Sequence, residues 1–408
     1  AAHSKGDDDR DTKEVNAFKE IDPLSLFFIN KNRDLVSLID NEVDNYSDMK
    51  ILSKDYFEYS KYKKDQLPNF LNQEYESIEN PKKLLSVALR ESYFDLLINF
   101  NAYFIGEDIA DPYGGAFKIY KGFQEERPSQ VVSPPISEAG LIGLSIGMSI
   151  EFKVVVAEIM FGDFIVNAMD QIINNASKFF HMYGKQFSCP LLIRTPMGGG
   201  RGYGPTHSQS LDKFLIGIDN LVVASTTSLI HPKKLIQELI SLESPKILIE
   251  NKIDYTKYLF EPPSGLNLQK FGGNLGTVIL SPYDTEIDNY VITYGSTARI
   301  IADNYIEIFE ESDVAFSLIC PQILHPFPLS HLKSFNLSFK KMIVLDESTS
   351  GFSWSDGIAS QIHQHYPNAK VITLNSDPVP IPSNKNLEKE NLISKEKIIE
   401  GIIKLNND

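Results

Sequence analysis

Glu138 stands in the run VVSPPISEAGLIGLSIGMSIEFKVVVAEIMFGDF (131–164), among apolar and small residues. A carboxylate in such company is costly unless it is paired or used. Val131-Val132 reads as the end of a short strand, Pro134-Pro135 stops it, and Ser137 is a good N-cap for the apolar run Ala139 to Ile150. Glu138 is therefore predicted in the first turn of a helix, at a strand-to-helix corner where open α/β sheets bind ligands. Ile136, Leu141 and Ile142 are expected to wall it and to raise its pKa by desolvation, which suits a group that shares a proton with a weakly basic ligand. The plainer reading is a first-turn acid favoured by the helix dipole.

His207 follows a glycine-rich stretch, CPLLIRTPMGGGRGYGPTHSQS. Gly198-Gly199-Gly200 and Gly202 let a loop approach a ligand closely, Pro205 fixes its exit, and an imidazole there can donate a proton or pair with a carboxylate near neutral pH. Without that loop it would read as an ordinary helix-start histidine. Arg201 and Tyr203 are candidate contacts to a partner polypeptide or to an incoming carrier domain. GLSIG (143–147) fits the serine-hydrolase pattern but lies inside an apolar helical run, not at an elbow, and is rejected. The glycine-rich loop fits neither the dinucleotide fingerprint nor the P-loop spacing.

The elements that position these residues alternate. Strands are expected at Tyr103 to Gly106, Val154 to Glu158, Leu191 to Arg194, Leu221 to Ala224 and Ile247 to Glu250. Helical stretches are expected from Pro81, at Phe164 to Phe180, at Ser208 to Ile216 and at Pro232 to Ser241. Short, continuously apolar strands separated by helices mean a parallel sheet covered on both faces. Between Tyr255 and Gly276 the pattern lapses into EPPSGLNLQKFGGNLG, a candidate domain boundary. A second series follows: strand Asn289 to Tyr294, helix Thr297 to Phe309, strand Val314 to Ile319, strand Met342 to Leu345, helix Asp356 to His365, strand Lys370 to Leu374 and helix Lys395 to Leu405. The expected organisation is a charged tail and connector at 1–79, an α/β domain at 80–275 and a smaller α/β domain at 276–408.

Net charge of -15 over 408 residues argues against nucleic acid and anionic membrane surfaces as partners. No apolar run approaches a bilayer span. Cys189 and Cys320 are too few for a disulfide framework or a zinc site, which makes a reducing cytoplasm the default location.

The segment PPISEAGLIGLSIGMSIEFKVVVAEIMFGDFIVNAMDQIINNASKF, continued through CPLLIRTPMGGGRGYGPTHSQS, resembles the beta subunit of the thiamine-diphosphate-dependent 2-oxo acid dehydrogenases, the decarboxylating component of the pyruvate and branched-chain complexes. The resemblance runs from about Lys82 to the C-terminus. It implies a transketolase-like pyrimidine-binding domain with a doubly wound parallel sheet, followed by a smaller transketolase C-terminal-like domain. It implies oxidative decarboxylation of a 2-oxo acid, with the acyl group passed to a lipoyl carrier. The alternatives are a related thiamine enzyme with another acceptor and a non-catalytic pseudo-subunit.

The resemblance places Glu138 as the acid that protonates the aminopyrimidine, Phe164 as the ring stacked on it, Ile136 beside the cofactor, and His207 facing the substrate. On spacing alone Phe164 would be simple core. Near the start, His3-Ser4-Lys5-Gly6-Asp7-Asp8, followed by Glu20-Ile21-Asp22-Pro23-Leu24, resembles the end of the alpha subunit, with His3 near the cofactor diphosphate. The chain then reads as part of an alpha-beta fusion. Gly162-Asp163 with Asn174-Asn175 lacks the second glycine and the spacing of the family's magnesium motif. No metal ligands are therefore expected here, Mg2+ is expected to be held mainly by the alpha portion, and a K+ site is left open.

Expected partners are that alpha portion, a lipoyl-bearing acyltransferase and the 2-oxo acid, in a twofold oligomer. The turns at Asp346-Glu347-Ser348, Cys320-Pro321 to Pro328 and Asp377 to Pro380 resemble the family's subunit-contact and docking turns.

Overall fold

The computed structural model describes residues 74–407 apart from 186, 284, 336 and 338, together with residues 13, 68 and 70. The chain divides into units 1–62 and 63–408, and the architecture that follows is that of the second. His3 lies outside the described residues.

The strands are β1 (Tyr75–Ser77), β2 (Tyr103–Gly106), β3 (Val131–Val132), β4 (Val155–Glu158), β5 (Leu191–Met197), β6 (Val222–Ser225), β7 (Lys246–Asn251), β8 (Leu266–Phe271), β9 (Thr277–Pro282), β10 (Asn289–Ile292), β11 (Phe316–Pro321), β12 (Ile323–His325), β13 (Lys341–Thr349) and β14 (Lys370–Ser376). The main helices are α1 (Leu85–Asn99), α2 (Glu138–Glu151), α3 (Lys233–Ser241), α4 (Gly295–Asp303), α5 (Tyr305–Ser312), α6 (Trp354–His365), α7 (Lys385–Asn391) and α8 (Lys395–Asn407).

They build two seven-stranded sheets. The first has the order β12-β6-β7-β5-β4-β2-β3 and is parallel except for β12, which joins its edge antiparallel to β6. The fold is α/β, as its strand-helix alternation predicts, but the sheet is not wholly parallel. The second, in the order β1-β8-β9-β11-β10-β13-β14, is mixed. Its β10, β11, β13 and β14 run parallel, whereas β1, β8 and β9 form an antiparallel edge. The Pro-, Gly- and Asn-rich stretch therefore contains a strand, β8, where the sequence suggested only a lapse in pattern.

Side chains alternate across the first sheet with the two-residue period of a strand. Phe104, Val156 and Leu192 face one core, which includes Leu89 and Leu96 of α1. Ile105, Ala157 and Ile193 face another, shared with Ile292, Val344 and Trp354 from the second sheet and its helices. Trp354 is 1% exposed and its indole N–H donates to Leu324 O at 3.2 Å. The far side of the second sheet packs Leu318, Ile343 and Leu345 against Ile398 and Ile402 of α8.

Two expected helices change form. The stretch Ser208 to Ile216 holds only a single 3-10 turn, Asp212–Phe214. Thr297 to Phe309 breaks into α4 and α5 at Asn304, whose side chain donates to Ile300 O at 2.7 Å. Cys189 and Cys320 are buried and unbridged. Among the described residues no helix is long and apolar enough to cross a membrane.

Candidate active site

Parallel strands deliver their following loops to one sheet edge, and that edge collects the chemistry. Glu107 follows β2, Glu138 follows β3, Phe164 follows β4, His207 follows β5 and Lys252 follows β7. The chain steps outward from β2 to β3 and then returns to β4 on the other side of β2, so the first three sit at a reversal of strand order.

Ser137 caps α2, accepting from Gly140 N at 3.1 Å, and this sets Glu138 as the first helical residue, half-buried. The apolar wall expected around it does not form. Ile136 is 82% exposed, and Leu141 and Ile142 turn into the core. A desolvated pocket for Glu138 built by Ile136 is therefore corrected. Instead, a second carboxylate lies beside it: Glu107, buried, accepts from Ser137 N at 2.9 Å. Burial raises the Glu107 carboxyl, the Ser137 N–H opposes that rise, and the Glu138 charge adds to it. The site thus has two neighbouring carboxyls, and burial makes Glu107 reluctant to ionise. The signal for Glu107 was its place directly after the strand YFIG.

Ser145 of GLSIG is buried and donates to Leu141 O at 2.8 Å, as an interior helix serine does.

The turn Gly162–Ala168 packs against α2 and carries Phe164. Gly162 is required here, because a Cβ would fall 2.1 Å from Met197 Cγ of β5. Phe164 and His207 come together, ring centroids 5.1 Å apart and nearly perpendicular. Phe161 also meets the imidazole edge-on, at 4.9 Å, and its ring lies 5.9 Å from that of Phe164. His207 Nδ1 lies 2.9 Å from Thr206 Oγ1. Asp163 couples the two segments, its Oδ1 accepting from Gln209 N and Nε2, each at 3.1 Å. That engages one carboxylate oxygen of Asp163 with the loop.

The glycine loop is held from the second sheet. Glu347 Oε1 accepts from Gly199 N at 2.7 Å and Ser210 Oγ at 3.0 Å. Glu388 on α7 is 1% exposed and accepts from Gly200 N at 2.9 Å and Gly202 N at 2.7 Å. Gly198 needs its positive φ of 92°, and a side chain there would strike Asn251 Nδ2 at 2.4 Å. Arg201 is half-buried, its guanidinium donating to Lys252 O and lying 5.6 Å from the centroid of the Phe117 ring, so it also braces the loop internally. Tyr203 remains 43% exposed. Asp346-Glu347-Ser348 also faces inward, Asp346 accepting from Ser348 N at 2.9 Å and Ser355 N at 2.7 Å at the start of α6.

Beneath the edge, β4, β5 and β7 are tied by a buried ion network. Arg194 donates to Glu250 Oε1 at 2.9 Å and Oε2 at 2.6 Å and pairs with Glu158 on its other side. Tyr93 and Tyr255 donate to Glu250 at 2.5 and 2.6 Å. This sets the spacing of the strands that carry Phe164, His207 and Lys252.

Among the described residues no group of three or more His, Cys, Asp or Glu is placed to hold a metal ion.

Residues 99–257 match the family model described as "Transketolase, pyrimidine binding domain". The chain is 26% identical over 333 residues to a pyruvate dehydrogenase E1 component subunit beta of Gracilaria tenuistipitata var. liui, covering 78% of this chain and 98% of that protein. A Rickettsia felis subunit of the same name is 26% identical over 323 residues, covering 78% and 96%. Over three quarters of its length the chain is thus similar to E1 beta subunits, and part of it matches the transketolase pyrimidine-binding domain. The mitochondrial 2-oxoisovalerate dehydrogenase subunit beta of Dictyostelium discoideum is 27% identical over 261 residues, covering 64% of this chain and 68% of that one. The solved structure titled "Split gene transketolase, inactive beta4 tetramer" overlays with a TM-score of 0.59 at 15% identity, over 79% of this chain and 97% of that one, and shares the fold. The matched segment, residues 99–257, spans the whole edge from Glu107 to Lys252.

Proposed function

We propose that this chain is the beta portion of a thiamine-diphosphate-dependent 2-oxo acid dehydrogenase component, which decarboxylates a 2-oxo acid and passes the acyl group to a lipoyl carrier. The observation that carries the reading is the meeting of His207 with Phe164, 5.1 Å apart, at the sheet edge that also bears the Glu107 and Glu138 carboxyls. The donor set suits the pyrimidine half of that cofactor: an acid for a ring nitrogen, an aromatic face and an imidazole. When bound, thiamine diphosphate supplies the electron sink that decarboxylation needs.

Glu138 holds the proton shared with the aminopyrimidine nitrogen. Glu107, raised by burial, gives up its proton less readily than a free carboxyl and so tempers the negative charge at that corner. Phe164 offers its ring to the pyrimidine, and with Phe161 it fixes the imidazole plane. His207 donates to the substrate carboxylate or carbonyl oxygen. The described residues do not fit a magnesium site, and the proposal assigns that ion to an alpha portion.

The α2 face carrying Gly140, Leu144, Gly147 and Ile150 is open, with Leu144 49% and Ile150 46% exposed and no atom within 4 Å of a Cβ at Gly147. The proposal assigns this face to subunit assembly. It also keeps two α/β domains after the connector, with the boundary moved from 275/276 to before β8, which belongs to the second sheet.

The test is decarboxylation of a panel of 2-oxo acids by the chain assembled with an alpha partner, thiamine diphosphate and magnesium, read first with an artificial electron acceptor and then with a lipoyl acceptor. Turnover that requires both halves supports the reading. Absence of turnover with every acid, despite cofactor binding, refutes it.

A further inference from the structure

Lys252 is fully buried at the end of β7, where the sheet edge meets the glycine loop. Its backbone N–H donates to Met197 O at 3.2 Å, its carbonyl accepts from Arg201, and its Nζ donates to His207 O at 2.6 Å. One residue therefore ties the start, the middle and the end of the loop. The ammonium also lies 5.3 Å from the centroid of the Phe161 ring, the same ring that stands 4.9 Å from the imidazole. The charged groups facing it are Asp163 from the turn after β4, Arg201 from the glycine loop, Glu347 from β13 and Glu388 from α7. Burial pushes its pKa down to about 8, opposed chiefly by Asp163 and Glu347. Simple packing would use an apolar side chain in this place, since a buried ammonium is expensive.

We infer that Lys252 is a positioning residue for the site: its ammonium fixes the His207 backbone against Phe161 and so aims the imidazole at the reacting atoms. The inference rests on the proposed role of His207. Three hydrogen bonds to Lys252 pin a loop whose alternative is an unfixed, glycine-rich segment with high conformational entropy.

Two readouts separate the inference from that role. The first needs no activity. His207 ring protons, assigned in the isotopically labelled chain by their loss in a His207→Gln variant, carry a ring-current displacement from Phe161 and Phe164. Lys252→Met, which keeps length and apolar bulk but donates nothing, should move those signals toward the values of an exposed histidine. Lys252→Gln, which restores an N–H donor, should keep them displaced. The second readout is turnover of the assembled enzyme. Lys252→Met should lower kcat by about 10- to 100-fold, the cost of misplacing a reacting group. KM for the 2-oxo acid should change by less than about threefold, and Lys252→Gln should recover most of the lost kcat.

Undisplaced signals in Lys252→Gln, or wild-type signals in Lys252→Met, would overturn the inference; should Lys252→Met not fold, Lys252→Gln decides. If wild type turns over no 2-oxo acid, the functional reading fails while the ring signals still judge Lys252.

Discussion

Replacing Glu388 with Ala removes the carboxylate that holds Gly200 N at 2.9 Å and Gly202 N at 2.7 Å. Hydrogen bonds to a charged acceptor contribute about 1.5 to 3 kcal/mol each, so the pair is worth about 3 to 6 kcal/mol to the closed loop. The loop can open without unfolding the sheets, and the loss should therefore appear locally. Amide hydrogen exchange reads it directly. A loss of about 3 kcal/mol corresponds to exchange on the order of 100-fold faster at Gly200 and Gly202. Amides of β5, held by β4 and β7, should exchange at wild-type rates. Glu388→Gln keeps one carbonyl acceptor and should show an intermediate effect. Wild-type exchange at both glycines in Glu388→Ala would refute the clamp.

Two further outcomes concern buried charges. Burial, followed by the nearby Asp346 charge, pushes the Asp212 pKa up to about 7. The folded state then binds a proton that the unfolded chain has lost, so stability should fall as pH rises from about 4 through about 7. Urea midpoints of Asp212→Asn should lack that decline, and an unchanged pH dependence would contradict it. Lys246 is buried with its Nζ donating to Leu242 O at 2.6 Å, and burial pushes its pKa down to about 7. Here the unfolded chain binds the extra proton, so stability should rise between pH 7 and about 10. Lys246→Met should flatten that rise, as denaturation at pH 7 and 9 would show.

Local signals carried the sequence reading where they act within a few residues. Ser137 is a cap in the sequence and a cap in the structure, and β2 spans Tyr103–Gly106 as its apolar run implies. What failed depended on distant partners. β8 is Gly- and Asn-flanked and alternates in burial, so only its pairing with β1 and β9 makes it a strand. The Ser208 to Ile216 helix gives way because Ser210 and Gln209 are drawn to Glu347 and Asp163 instead of to a helical ladder. Ile136 looked like pocket wall, but the turn before α2 points it outward at 82% exposure. Lys252 and Glu388 were not singled out in the chain, and only the approach of the glycine loop shows that both are buried around it. Phe164 and His207, which the resemblance singled out separately, are 43 positions apart and meet because β4 and β5 are neighbours.

The account's central claim is that Glu138 handles a proton at the cofactor ring, and Glu138→Gln in the assembled enzyme tests it most directly. Glutamine preserves size and hydrogen bonding at the start of α2 but cannot cycle a proton. The expected result is a kcat lower by about 100- to 10,000-fold, the usual weight of a positioned acid or base, with thiamine diphosphate still bound. A Glu138→Gln enzyme that turns over within about twofold of wild type would contradict the claim.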